Sequence, residues 1–339
     1  PVLQDADAVT QTTVYEALTT TPESLPRELW QQVMGLLPLE DLTRLAGTSW
    51  EMRQLVADLA PQGVDPEAHG ERGFVRTIYT QTELDEAVNG GGLRFIPGTG
   101  SDLTVNHGDY YNCPRLYGPG TLTAVTGGYL TAHDDATITT VTGGTVWADD
   151  QATITEVTGG PVTARGDVTI TTVTRGTVRA YDQATITEVT GGEVKAYGDA
   201  RITTMIGGTV EAYDDATITT MTGGIAFAYN NATIITMAGG QVEAAGHSAV
   251  NVAAGSVNAT QNATVNVTDG GNVTIVACDN AQVHIPDGTD AVVHAYDNAQ
   301  ITAGSGRIVI HSPNVNATNN GNATIVDNNV TDSGSCAIS

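Results

Sequence analysis

From residue 120 the chain repeats itself every 16 residues. Residues 136–151 read ATITTVTGGTVWADDQ, 152–167 read ATITEVTGGPVTARGD and 184–199 read ATITEVTGGEVKAYGD. The period holds for eight copies, from Gly120 to His247, then loosens over 248–311 and fades near residue 311. A unit this short cannot bury a face by itself. It must stack on its neighbours, which is the signature of a solenoid.

The columns of the repeat set its geometry. Counting from Ala136, the third position is always a branched apolar residue, from Leu122 to Ile234, and the thirteenth is always alanine, from Ala132 to Ala244. The ninth is always glycine, from Gly128 to Gly240. Alternation of period two within ATIT and TVxA predicts strands. Thr-Gly-Gly and the Asp/Asn/Gly pairs predict turns. Thr, Val, Ile and paired Gly are poor helix formers, so a helical repeat is excluded. Each unit reads as strand, glycine turn, strand, Asx turn. The fold expected is mainly β, a parallel β-solenoid of about 11–12 coils with two narrow sheets and a thin Ala/Ile/Val core.

The outward columns differ. One strand presents a threonine ladder: Thr137/Thr139, Thr153/Thr155, Thr169/Thr171, Thr185/Thr187 and Thr217/Thr219. The other presents mixed residues, with Trp147, Arg179 and Phe227 among them, and Tyr181, Tyr197, Tyr213 and Tyr229 lie along one turn edge. These seven residues are the candidate surface for a client protein. The first reading of the ladders is structural, because like residues stack well in sheets. The flat Thr-x-Thr array also resembles the face of β-solenoid antifreeze proteins, over residues 121–233, with Arg201 and Ile235 interrupting. That resemblance implies ice binding. Calcium binding at the Asp edge lacks the Gly-Gly-x-Gly-x-Asp pattern of calcium solenoids.

Composition narrows the partners. The chain has 13 basic against 38 acidic residues, a net charge of −25. Nucleic acid needs clustered Lys and Arg and is excluded as a partner. A basic client protein suits this charge. Three widely spaced cysteines, Cys113, Cys278 and Cys336, make a disulfide framework unexpected. The histidines show no metal or catalytic spacing, and the charged residues are scattered. No cofactor, metal site or catalytic residue is expected, and the chain reads as a non-enzyme. The first residues have no basic start and no long apolar stretch, so no secretory leader is expected and a cytoplasmic setting is.

Residues 1–23 form an N-terminal segment, and 24–62 have another character. There SLPRELWQQVMGLLPLEDLTRLAGTSWEMRQLVADL (24–59) spaces its apolar residues as three short helices. This motif resembles an F-box, through LPRELW, LLPLEDL and their spacing. The resemblance implies docking onto the Skp-type linker protein of a cullin-RING ubiquitin ligase. Leu25, Pro26, Leu29, Leu37, Leu39, Leu42, Leu45 and Trp50 would form the docking surface or its support. The tryptophan usual in the family falls at Met52, with Trp50 two residues before it. Residues 74–119 are expected to cap the solenoid, with a short helix in TQTELDEAV and Thr82 as its N-cap. Residues 312–339 are a polar cap or tail. The last four, Cys336-Ala337-Ile338-Ser339, fit the C-a-a-X prenylation pattern, which implies at most weak membrane attachment through Cys336.

Two functions follow as expectations. One is an F-box adaptor whose solenoid recruits a client to the ligase in the cytoplasm of a eukaryotic or host cell. The other is a structural solenoid that self-associates into a filament, spike or virion shell.

Overall fold

A computed structural model describes residues 75–89, 93–111, 113–269 and 271–328. The helical block at 24–62 lies outside these residues. Each 16-residue unit is one coil. In a typical one, Thr153–Val157 forms the first strand, a turn follows through Gly160, and Pro161–Ala164 forms the second strand. The next coil stacks on it in parallel and without slip, pairing Ile154 with Ile170 and Val162 with Val178. Successive first strands build a 14-stranded sheet and successive second strands a 16-stranded sheet among the described residues. All pairings are parallel.

The solenoid therefore has about 15 coils, three or so more than the repeat alone predicts. The additional coils lie at both ends. Arg76–Ile78, Arg94–Pro97 and Arg115–Tyr117 enter the larger sheet before the regular repeats begin. Asn316–Asn319 and Thr324–Asp327 extend the two sheets after residue 311. These coils escape a period search because their loops differ in length. Their core residues are also larger near the start, where Phe95, Leu103 and Leu116 are fully buried.

Five columns per coil face inward. In one coil they are Ala152, Ile154, Val157, Val162 and Ala164, all inaccessible to solvent. Strict alternation would point Val157 outward. Instead Thr155 and Glu156 both face solvent and the strand bends there, which returns Val157 to the core. That column, at the sixth position of the repeat, is Val141, Val157, Val173 and Val189, then Met205, Met221 and Met237, an uninterrupted buried stack.

The turns explain the repeat's invariant residues. Gly192 has φ of +78°, and a Cβ there would lie 2.8 Å from the Gly176 carbonyl oxygen of the coil below. Both facts demand glycine. At the opposite turn Asp134, Asp150, Asp182, Asp214 and Asn230 hold φ between 54° and 64°. Asp and Asn are the side chains that tolerate this region best.

The first coil is closed by α1, Gln81–Asn89, which buries Leu84 and Val88 against the core. Its N-cap is Thr80, not Thr82. The Thr80 hydroxyl accepts from the Glu83 N–H, and the Glu83 carboxylate accepts from the N–H groups of Tyr79 and Thr80. This reciprocal arrangement is a capping box. The two backbone N–H donors hold the Glu83 carboxyl below its ordinary range. The Gln81 carboxamide satisfies both the N–H and the C=O of Thr104 at the edge of the smaller sheet. It occupies the place a neighbouring strand would take, so that edge offers no template for pairing there.

Candidate interaction surface

The repeat translates each sequence position into a straight column on the outside of the solenoid. On the larger sheet one such column runs Thr131, Trp147, Thr163, Arg179, Lys195, Glu211, Phe227, each in register with the next. The column two residues on, at the turn edge, contains His133, Asp149 and Arg165, followed by the four tyrosines. Tyr181, Tyr197, Tyr213 and Tyr229 form a continuous stack, with ring centroids 4.9, 5.0 and 5.1 Å apart. Phe227 joins it at 6.3 Å from Tyr229, and the Arg165 guanidinium lies 5.7 Å from the centre of the Tyr181 ring. Thus six of the seven candidate client-binding residues form one neighbourhood: Arg179, Tyr181, Tyr197, Tyr213, Phe227 and Tyr229.

An ion network crosses this neighbourhood. Both Glu211 carboxylate oxygens accept from Lys195 Nζ at 2.9 Å, and Glu193 adds a contact at 3.3 Å. The Tyr213 hydroxyl donates to Glu211 at 2.6 Å. That bond pushes the Tyr213 phenol up to about 12. The same bond, with the Lys195 charge, holds the Glu211 carboxyl below its ordinary range. The Lys195 ammonium is raised, chiefly by its hydrogen bond to Glu211.

Trp147 stands apart, in a cluster that repeat-based reading misses. Residues 106–111, ahead of the regular repeats, lay a loop over the larger sheet. Cys113 Sγ lies 3.4 Å from the Thr131 hydroxyl, and the Tyr110 ring meets Trp147 edge-on at 5.4 Å and Tyr129 at 5.8 Å. Tyr110, Trp147, Asp149, Thr163 and Arg165 line a cavity of about 280 Å³. His133 Nδ1 is 4.0 Å from Asp149. Burial pushes the Asp149 carboxyl up, against the opposing pull of His133 and Arg165. The signal available in the sequence was the aromatic pair Tyr110-Tyr111 in the irregular stretch that precedes the regular coils.

The smaller sheet carries the threonine ladder. Thr137, Thr153, Thr169 and Thr185 are in register, Arg201 interrupts, and Thr217 resumes the column. Thr139, Thr155, Thr171, Thr187 and Thr219 form the second row on the same strands, and Glu156 and Glu188 stand beside it at the bend. The face is therefore regular in two columns apart from Arg201, and the third mixes Glu156 and Glu188 with threonines.

Among the described residues no group of three or more His, Cys, Asp or Glu is placed to hold a metal, and no helix is long and apolar enough to cross a membrane. Cys113 is a free thiol, whereas Cys278 is buried and disulfide-bonded, which three scattered cysteines did not lead one to expect. The linker-docking residues Leu25, Pro26, Leu29, Leu37, Leu39, Leu42, Leu45 and Trp50, and the prenylation candidate Cys336, lie outside the described residues.

Comparison with known protein families finds the F-box domain over residues 22–61. The chain carries an F-box domain. It is followed by a parallel β-solenoid of 16-residue repeats. No curated relative and no solved structure matches the chain. F-box domains bind Skp-type linker proteins of cullin-RING ligases, and here the F-box match precedes a long solenoid in the sequence.

Proposed function

We propose that this F-box protein recruits a client protein to a cullin-RING ubiquitin ligase, with the larger solenoid sheet as the client-binding surface. The observation that carries the reading is the F-box match at residues 22–61 ahead of a solenoid with one variable face. The F-box would dock through Leu25, Pro26, Leu29, Leu37, Leu39, Leu42, Leu45 and Trp50. The client would lie along Trp147, Arg179, Phe227 and the tyrosine edge. The client is basic, to match a chain of net charge −25. The protein itself performs no chemistry; it positions. Its place of action is the cytoplasm of a eukaryotic or host cell.

The lysine content fits this role. Lys195 is the sole lysine of the 339 residues, and its ammonium is held by two carboxylates. Ubiquitin transfer to lysine needs a free, unprotonated amine. An adaptor with one protonated, carboxylate-bound lysine is a poor acceptor for the ligase it serves.

The test is a pull-down of the full chain with a Skp-type linker protein, beside a Leu37→Asp/Leu42→Asp double variant. Capture of the wild type and loss in the variant is the expected result. Equal capture of both, or of neither, overturns the adaptor reading. If neither binds and the chain elutes as a large assembly, the self-associating structural reading takes its place.

A further inference from the structure

The cavity beneath Tyr110 is the most site-like feature of the solenoid. Three properties set it apart from the rest of the surface. It lies where the loop carrying Tyr110 meets the larger sheet. It is walled by aromatic rings. It contains a carboxylate that burial has partly stripped of water.

The register explains why a hollow forms there. Trp147 is flanked in its column by two threonines, Thr131 below and Thr163 above. Small neighbours on both sides leave the indole face uncovered along the column. Tyr110 then closes the hollow from outside, its ring 82° from the indole plane, while Tyr129 stands at 53° to that plane from the next column. Asp149, on the same strand side as Trp147, contributes the charge. The volume of about 280 Å³ is just below the range typical of small-molecule sites, and suits one long side chain.

Resting on the adaptor reading, we propose that this cavity anchors a cationic side chain of the client, an arginine or lysine. Its apolar stem lies against Tyr110 and Trp147, and its charged head pairs with Asp149. Aromatic faces attract cations through the ring quadrupole, tryptophan most strongly. The Asp149 carboxyl is desolvated, and His133 approaches it no closer than 4.0 Å. An entering cation supplies the close partner that this arrangement lacks. Arg165, which follows Asp149 in its column on the next coil, opposes a cation, but its guanidinium is drawn over the Tyr181 ring of the coil beyond. The acidity of the whole chain adds long-range attraction.

The experiment titrates the full chain with four capped tripeptides, acetyl-Gly-X-Gly-amide, where X is Arg, Lys, norleucine or Glu. Binding is followed by calorimetry and by Trp147 fluorescence, with Trp147→Phe separating that signal from the other two tryptophans. The expected result is saturable binding of the Arg and Lys peptides. Norleucine and Glu peptides bind weaker by about tenfold or more. Asp149→Asn, an isosteric change, lowers Arg-peptide affinity by a similar factor of about ten. Arg165→Ala raises it. Melting curves of each variant verify that the solenoid is intact. Norleucine binding as tightly as Arg, or unchanged affinity in Asp149→Asn, overturns the proposal, as does absence of saturable binding. The adaptor reading fails separately: linker capture depends on residues 22–61, which the peptide assay does not touch. Peptide binding without linker capture keeps a cation site and removes the ligase. Linker capture without peptide binding does the reverse.

Discussion

The two sheets of the solenoid share one chain and one period, yet they face solvent with opposite habits. The smaller sheet repeats threonine in register, at Thr137, Thr153, Thr169 and Thr185. The larger sheet shows threonine, tryptophan, arginine, lysine, glutamate and phenylalanine in one column. Inward, both are equally uniform: Ile154, Ile170 and Ile186 line one, and Val162, Val178 and Val194 the other. Uniform inward columns are what stacking requires. The outward column of the larger sheet varies without disturbing the register, so sheet stability does not dictate those residues. That freedom is what a recognition surface needs, and it is why the larger sheet and not the threonine face is assigned to the client.

The comparison is open to measurement, and the largest effect is expected inside. Ile170→Ala empties a fully buried position and is expected to cost about 2–5 kcal/mol. Its outward neighbour on the same strand, Thr171→Ala, is expected to change stability within about 0.5 kcal/mol. Denaturant titration of the two variants decides the matter. Equal losses would mean that the threonine ladder carries stability by itself.

The turns give the next contrast. Gly192→Ala forces a side chain into the left-handed region, which costs about 1–2 kcal/mol before its contact with the coil below is counted. Asp182→Gly, at the opposite turn, keeps φ accessible and is expected to stay within about 1 kcal/mol. Thermal unfolding of both variants checks whether the glycine turn is the stricter of the two.

A smaller effect belongs to the tyrosine edge. Tyr197→Ala removes two stacked pairs, each worth about 0.5–1.5 kcal/mol beyond area burial. Thr187→Ala on the other sheet removes no stacking and serves as its control, read in the same denaturant assay.

The smallest is a titration. Tyr213 is held neutral up to about 12, so ultraviolet absorbance should show one tyrosine ionising well after its ordinary 10. Because the folded value is raised, the bond to Glu211 contributes fully below pH 10 and is lost as pH climbs through about 12. Glu211→Gln is expected to return Tyr213 toward its ordinary range. Burial also raises the Tyr229 phenol, so it is an ionisation near 12 persisting in Tyr213→Phe that would assign the shift elsewhere.

Much of the fold can be read directly from the residues. Ile138, Gly144 and Ala148 recur at fixed spacing, and each spacing has one physical meaning: a core column, a left-handed turn, a small inward residue. Val157 was not legible, because its burial depends on a bend that two consecutive solvent-facing residues create. Phe95 and Leu103 were not recognised as coil members, because irregular loops hide the period around them. The tyrosine stack was legible as a column. The cavity was not: Tyr110 meets Trp147 across 37 positions only because the loop folds back over the sheet.

The sequence by itself determined the repeating coil, its two turns, its parallel stacking and the F-box at its head. These follow from local spacing, which needs no knowledge of distant residues. The tertiary structure alone decided where each strand bends, how many coils join the stack, and which side chains from outside the repeat land on its surface. Those outcomes depend on contacts between residues that no period relates.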